Sequence, residues 1–180
     1  MEKQHSDVRI FGLDQYNYPK FRAKIIDLYL NAFTAGEYAQ HIPDEAAESA
    51  LDEMLRNGFG KMAFVDDRLA GVLIAFPLGH DNEFPKEQCP DFPVETSLYI
   101  AEVMVHSDFQ GRGIASRLLQ TFLAEVEGNY TDVVIRVWDE NKPAVKLYEK
   151  LGFTPLATIS QTKLKKESET FEMNKVYMTL

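Results

Sequence analysis

The sequence predicts a mixed α/β (α+β) fold: one sheet with helices packed on both of its faces. Four segments repeat apolar residues at helical spacing, and the stretches between them hold short apolar runs bounded by turn residues, the signature of strands. Helices and strands are neither strictly alternating nor gathered into blocks, which is the order expected of a mixed sheet.

The elements follow in order. Residues 8–11 read as a first strand. Phe21, Ile25, Leu28, Tyr29, Ala32 and Phe33 form one helical stripe, followed by a turn around Gly36. A second helix begins near Asp44, carries Ala46, Ala47, Ala50, Leu51, Met54 and Leu55, and stops at Gly58. The runs K-M-A-F-V and L-A-G-V-L-I-A-F, separated by Asp66, Asp67 and Arg68, predict a hairpin. Residues 78–93 are polar and broken by proline, so a long loop is expected there.

T-S-L-Y-I-A-E-V-M-V reads as a buried central strand. From Gly113 onward, Ile114, Leu118, Leu119, Phe122, Leu123 and Val126 define an amphipathic helix that ends near Gly128. D-V-V-I-R-V-W is another buried strand, and residues 142–151 form a short helix closed by Gly152. Two strands finish the chain, at 153–160 and 170–180, joined by the polar connection 161–169. In the last strand the apolar phase moves from Phe171 and Met173 to Val176, Met178 and Leu180, which predicts a bulge.

No repeat, low-complexity block or flexible linker divides the 180 residues, so residues 1–180 are expected to form a single domain. The polar start has no apolar signal-peptide core, no run approaches the roughly 18 apolar residues of a membrane span, and the single cysteine, Cys89, excludes an internal disulfide framework. These features lead us to expect a cytoplasmic protein with no membrane partner. A formal net charge of −9 argues against a nucleic-acid-binding face. That acidity suits a cationic substrate, although solubility alone accounts for it.

The segment Y-I-A-E-V-M-V-H-S-D-F-Q-G-R-G-I-A-S-R-L-L carries the chemistry. A strand ends at Val105, a turn holds Gly111 and Gly113, and a helix begins at once. Unpaired N–H groups and the positive end of the helix dipole therefore converge on one point, an anion site suited to a pyrophosphate. A Walker A loop is excluded because no lysine or glycine is correctly placed, and the dinucleotide fingerprint fails at Ser116.

Q-G-R-G-I-A resembles the Q/R-x-x-G-x-G/A signature of the GNAT N-acetyltransferases. N-K-P-A-V-K-L-Y-E-K-L-G-F, beginning at Asn141, is similar to that family's N-x-x-A-x-x-x-Y-x-x-x-G-F pattern. The two motifs stand in the family's order, and the resemblance covers roughly residues 60–155. It implies a twisted, mainly antiparallel sheet whose two central strands, here 97–105 and 131–138, splay apart to admit the pantetheine arm of acetyl-CoA. It also implies that Gln110, Gly111, Arg112, Gly113, Ile114, Ala115 and Ser116 hold the pyrophosphate. Val103, Met104 and Val105 would accompany the pantetheine, with the Val103 amide polarising the thioester carbonyl. Asn141 and Ala144 would line the arm, and Asn141 is also placed to cap its helix.

By the same resemblance Tyr148 would face the leaving sulfur, although Ala144, Leu147, Tyr148 and Leu151 also make an ordinary core stripe. A phenol ionises near ~10 and a thiol near ~8.5, so Tyr148 is expected to hydrogen-bond the developing thiolate more than to acidify it. Glu102 interrupts an apolar strand beside the thioester and is the first candidate for the base; a bulge that turns it elsewhere, Tyr99 and a water route remain alternatives. Cys89 lacks a neighbouring histidine, and His5, His41, His80 and His106 lack metal-ligand spacing, so no metal is expected.

The expected activity is transfer of an acetyl group from acetyl-CoA to a primary amine by direct attack. The amine is a small molecule, a peptide N-terminus or a lysine. A non-catalytic acyl-CoA-binding module and a transferase of longer acyl groups are the alternatives. The acceptor would meet residues 34–42, 78–93 and 161–169, where Asp81, Glu83, Glu87 and Asp91 offer negative charge that solvation equally explains. A homodimer formed through the terminal strands is a further expectation without a specific signal.

Overall fold

The computed structural model describes residues 7–35, 39–166 and 168–180. The turn expected around Gly36 lies outside these residues. Seven strands form one sheet in the order β1-β2-β3-β4-β5-β7-β6. They are β1 (Val8–Leu13), β2 (Phe59–Val65), β3 (Arg68–Pro77), β4 (Leu98–Val105), β5 (Val133–Trp138), β6 (Thr154–Leu164) and β7 (Thr170–Thr179). Every neighbouring pair is antiparallel except β4 and β5. The helices are α1 (Tyr18–Thr34), α2 (Asp44–Asn57), α3 (Ile114–Val126) and α4 (Lys142–Lys150).

Alternation along β3 shows how the two faces are covered. Val72 and Ile74 point into a core with Ile25, Leu28, Leu51 and Leu55 of α1 and α2. Leu73 and Ala75 point into the opposite core with Leu118, Leu119 and Phe122 of α3. A strand buried on both sides reads as a continuous apolar run, which is why L-A-G-V-L-I-A-F was so plain in the sequence. Helix α2 has Asp44 and Glu45 in its first turn and Arg56 in its last, each sign matched to the helix dipole. Asp66 takes a φ of 54° at the tip of the β2–β3 hairpin, and Gly60 lies so close to β3 that a Cβ there would stand 1.7 Å from the Leu73 carbonyl oxygen.

The long loop expected after β3 is present, and within it Leu78 and Phe84 are buried and join Tyr99, Val134 and Tyr177 in a third apolar cluster. Two expectations about local structure need correction. Strand β6 runs on through Gln161, Thr162, Lys163 and Leu164, so the connection to β7 is shorter than the polar pattern implied. The bulge is also absent from β7, whose register on β5 is unbroken from Lys175 to Thr179. It lies in β6, between Pro155 and Ala157. The phase change in β7 has another origin: Met173 and Tyr177 point to one face and Met178 to the other, and both faces are covered.

Candidate active site

The site is made where the sheet comes apart. β4 and β5 pair only at Leu98, Tyr99 and Ile100 with Val133, Val134 and Ile135. Beyond that point β4 continues to Val105 and β5 to Trp138 without pairing to each other. This is the split between central strands that the resemblance implied.

A bulge at Ala101 decides what faces the split. Ile74 pairs with Glu102 and Ala75 with Ile100, leaving Ala101 as the extra residue. Backbone N–H and C=O groups alternate sides along a strand. Before the bulge, the even-numbered Leu98 turns its N–H toward the β5 side, where it bonds the Asp132 carbonyl at 3.0 Å. After the bulge, the even-numbered His106 turns its N–H the other way, to the Ala70 carbonyl of β3 at 2.8 Å. The extra residue has reversed the alternation, so the main-chain groups of Val103 and Val105 face the split. Met104 does not: it pairs with Val72, and its side chain is buried in the core beneath α1. Of the three β4 residues expected to accompany a pantetheine arm, two are brought to the gap.

The same bulge keeps Glu102 in the site. Glu102 lines a cavity of about 380 Å³ with Tyr29 and Phe33 of α1, Val103, Asn141 and Tyr148. It has no hydrogen bond or ion pair among the described residues. Burial pushes its carboxyl up to about 7, against the pull of Lys175, Arg136 and Lys163. Two hydrogen bonds between Asn31 and the backbone and side chain of Ser107 tie α1 to the turn after β4, holding Tyr29 and Phe33 over the site.

Tyr148 serves two purposes at once. Its ring belongs to the α3 core, 6.1 Å from the Phe153 ring, and the residue is only 7% exposed. It also lines the cavity, and its hydroxyl has no hydrogen-bond partner among the described residues. Burial first, then the Glu102 charge, pushes the phenol well above its usual value, so it is held protonated as a donor. Tyr99 is buried, stacked against Phe76 and Tyr177, and does not line the cavity.

Gly111 and Gly113 have φ of 75° and 73°, which L side chains rarely adopt, and the space in front of each is open. Gly113 caps α3, and no side chain bonds the first turn of that helix. The first intrahelical bond is donated by Arg117, leaving the preceding N–H groups of Ile114, Ala115 and Ser116 for a ligand. Gln110, Gly111 and Arg112 are exposed beside them, and Arg112 lies over the Phe109 ring at 5.2 Å. At the other wall, the Asn141 side-chain oxygen accepts from the Ala144 N–H at 3.4 Å, so the capping role is realised while the amide NH₂ stays available. Ala144 packs against the α3 core and does not line the cavity.

Gln161 and Lys163, inside the 161–169 stretch expected to meet the acceptor, line the acceptor end together with Arg136 and Lys175, which the sequence did not single out. The loop acids play another part than drawing in a cation. Asp81 accepts from the Tyr177 hydroxyl at 2.7 Å, and Glu83 accepts from both Arg136 and Gln161, while Glu87 and Asp91 are exposed away from the cavity. Cys89 packs in the loop cluster, and no group of three or more metal-ligating side chains occurs among the described residues. No helix among them is long and apolar enough to cross a membrane.

Comparison with known proteins sets this geometry in context. Residues 22–153 match the Acetyltransferase (GNAT) family. N-alpha-acetyltransferase 30 of Xenopus laevis is 43% identical over 56 residues, 31% of this chain and 20% of that protein. The match thus spans about a fifth of that relative's length. Among solved structures, yncA of Salmonella typhimurium, determined with its cofactor acetyl-CoA, superimposes with a TM-score of 0.68 at 17% identity, covering 97% of this chain and 94% of that one. An N-acetyltransferase from Staphylococcus aureus Mu50 gives 0.69 at 17% identity, over 97% and 98% of the two chains. At that identity the structural likeness speaks for the fold.

Proposed function

The chain belongs to the GNAT acetyltransferase family, and from that premise we propose that it transfers the acetyl group of acetyl-CoA to a primary amine by direct attack in a ternary complex. One observation supports this above the others. The bulge at Ala101 turns the Val103 N–H into the split between β4 and β5, and it keeps Glu102 on the cavity that Tyr148 also lines.

In this reading the N–H groups at the start of α3 hold the pyrophosphate, and the pantetheine lies along Val103 and Val105 as an added strand. Asn141 donates to it from the far wall. The Val103 N–H bonds the thioester oxygen as it becomes an oxyanion; losing one such donor typically costs about 10²–10³ in rate. Attack by the amine nitrogen forms the C–N bond, and collapse of the tetrahedral centre breaks the C–S bond. Glu102 accepts the amine's proton, directly or through a water. An ammonium near ~10.4 is almost wholly protonated at neutral pH, and a base poised near the working pH suits that role. Tyr148 donates to the departing thiolate. The partial likeness to an N-alpha-acetyltransferase supports an α-amine, one carried on the carbon next to a carbonyl carbon, as the acceptor class.

Thiol release from acetyl-CoA, followed with and without a panel of primary amines, tests this reading. Amine-dependent release that falls in Glu102→Gln supports it. Binding of acetyl-CoA with no amine-dependent release across the panel would leave a non-catalytic acyl-CoA-binding module.

A further inference from the structure

The acceptor end of the cavity is cationic in a protein whose net charge is −9. It is built from alternate residues of three strands. Arg136 stands across from Tyr177, Trp138 from Lys175, Lys175 from Ile159, and Gln161 from Met173. Arg136 is already satisfied, by Glu83 and by the Tyr177 hydroxyl at 3.1 Å. Lys163 and Lys175 are not: neither ammonium has a hydrogen bond or ion pair among the described residues. Among the described residues, Glu102 is the one carboxylate on the cavity lining. Burial first, then the Arg136 charge, pushes the Lys175 ammonium down to about 8, against the pull of Glu102 and Glu83. Beside them, the side-chain oxygen of Gln161 is buried and accepts no hydrogen bond among the described residues.

We infer that the acceptor is a small amino acid whose own carboxylate is held by Lys163 and Lys175, with its amine delivered to Glu102 and the thioester. This rests on the acetyl-transfer reading and specifies its substrate class. A free amino acid supplies both partners: a carboxylate for two ammonium groups that make no ion pair among the described residues, and an N–H donor for the Gln161 oxygen. A cavity of about 380 Å³ that must also receive the thioester has room for a small molecule of this kind. The reaction balances without a further reagent. The amine nitrogen bonds the acetyl carbon, the C–S bond breaks, one proton passes to Glu102 and one reaches the thiolate, and the carboxylate stays unchanged.

The test is thiol release by the purified full chain at saturating acetyl-CoA. α-Amino acids are compared with the carboxamides of the same side chains, and with dipeptide amides carrying glutamate at the second position. At least one amino acid should be acetylated with a kcat/KM about 10–100-fold above that of its carboxamide, the range expected for a charge-assisted contact. Lys175→Gln and Lys163→Gln should each narrow that ratio, mainly through KM for the acid, and Lys175→Arg should restore part of it. Melting curves on each variant separate loss of contact from loss of fold, with Lys163 near the end of an edge strand as the safer site. Carboxamides acetylated as well as the acids, or no amino acid acetylated at all, would overturn the inference. A preference for the acidic dipeptides would overturn it in favour of a peptide-borne carboxylate. In each case, retained acetyl-CoA binding and turnover of any other amine would leave the transferase reading standing. Failure to bind acetyl-CoA, read by titration alone, would overturn both.

Discussion

Glu102 and Tyr148 make opposite demands on their surroundings, and each should show it when replaced. Glu102 is a carboxyl raised from 4.5 to about 7, so only its deprotonated form can accept a proton, and that form grows as pH passes through about 7. The rate at subsaturating acceptor should therefore rise through that window in the wild type, and Glu102→Gln should lose the rise along with about 10²-fold or more in rate. Stability moves the other way. Between 4.5 and about 7 the folded state binds the proton more tightly than the unfolded chain, so wild-type stability falls as pH rises across that range. Glu102→Gln should match the wild type near pH 5 and exceed it by about 1–3 kcal/mol near pH 8, measured by denaturant titration at both. Tyr148→Phe keeps the ring that packs on Phe153 and removes a hydroxyl that makes no hydrogen bond among the described residues. It should lower kcat by about 10–100-fold while shifting the melting temperature little. A matching loss of stability would mean that Tyr148 serves only the core. Glu102 was legible in the sequence because a carboxylate inside an apolar strand needs a reason. Lys163 and Lys175 were not, because alternating polar residues in terminal strands look like a solvated face until the sheet shows that this face lines a cavity.

Among the elements, the turn into α3 and the bulge in β4 carry the site. Gly113 sits at a φ of 73° with open space before it. Gly113→Glu places a strained residue and a negative charge where a pyrophosphate would lie, and should weaken acetyl-CoA binding by at least 100-fold in a titration, while the helix, whose apolar stripe is untouched, stays folded. Unchanged affinity would move the cofactor site elsewhere. The helices and the β2–β3 hairpin were readable because each has a strong period and clear stop signals. The bulge was not. Ala101 closes an apolar run just before Glu102, and only pairing with β3 reveals it as extra. Its consequence was equally hidden, since the spacing of the motif does not say which backbone N–H groups face the gap. The reach of β6 was missed for a related reason: Gln161 and Lys163 are polar because they face the cavity, and polarity was read as connection.

For the molecule as a whole, the split sheet is a cleft that a ligand completes. β4 and β5 share only three paired positions, and beyond them the main-chain groups of Val103 and Val105 face a gap in which a pantetheine would bond them. Acetyl-CoA at 100 times its dissociation constant should stabilise the fold by about 2.7 kcal/mol, a rise of several degrees in melting temperature. The fold family was legible in the sequence through the resemblance of two motifs, Q-G-R-G-I-A and N-K-P-A-V-K-L-Y-E-K-L-G-F, standing in the family's order. The make-up of the acceptor end came from tertiary structure, where the successive strands β5, β6 and β7 turn alternate residues toward one cavity. The most direct measurement is calorimetric titration of the purified protein with acetyl-CoA, with ATP and NADH as controls. Saturable one-to-one binding of acetyl-CoA, absent for the controls and lost in Gly113→Glu, is the predicted result. A folded protein that binds none of the three would contradict the assignment of the cleft.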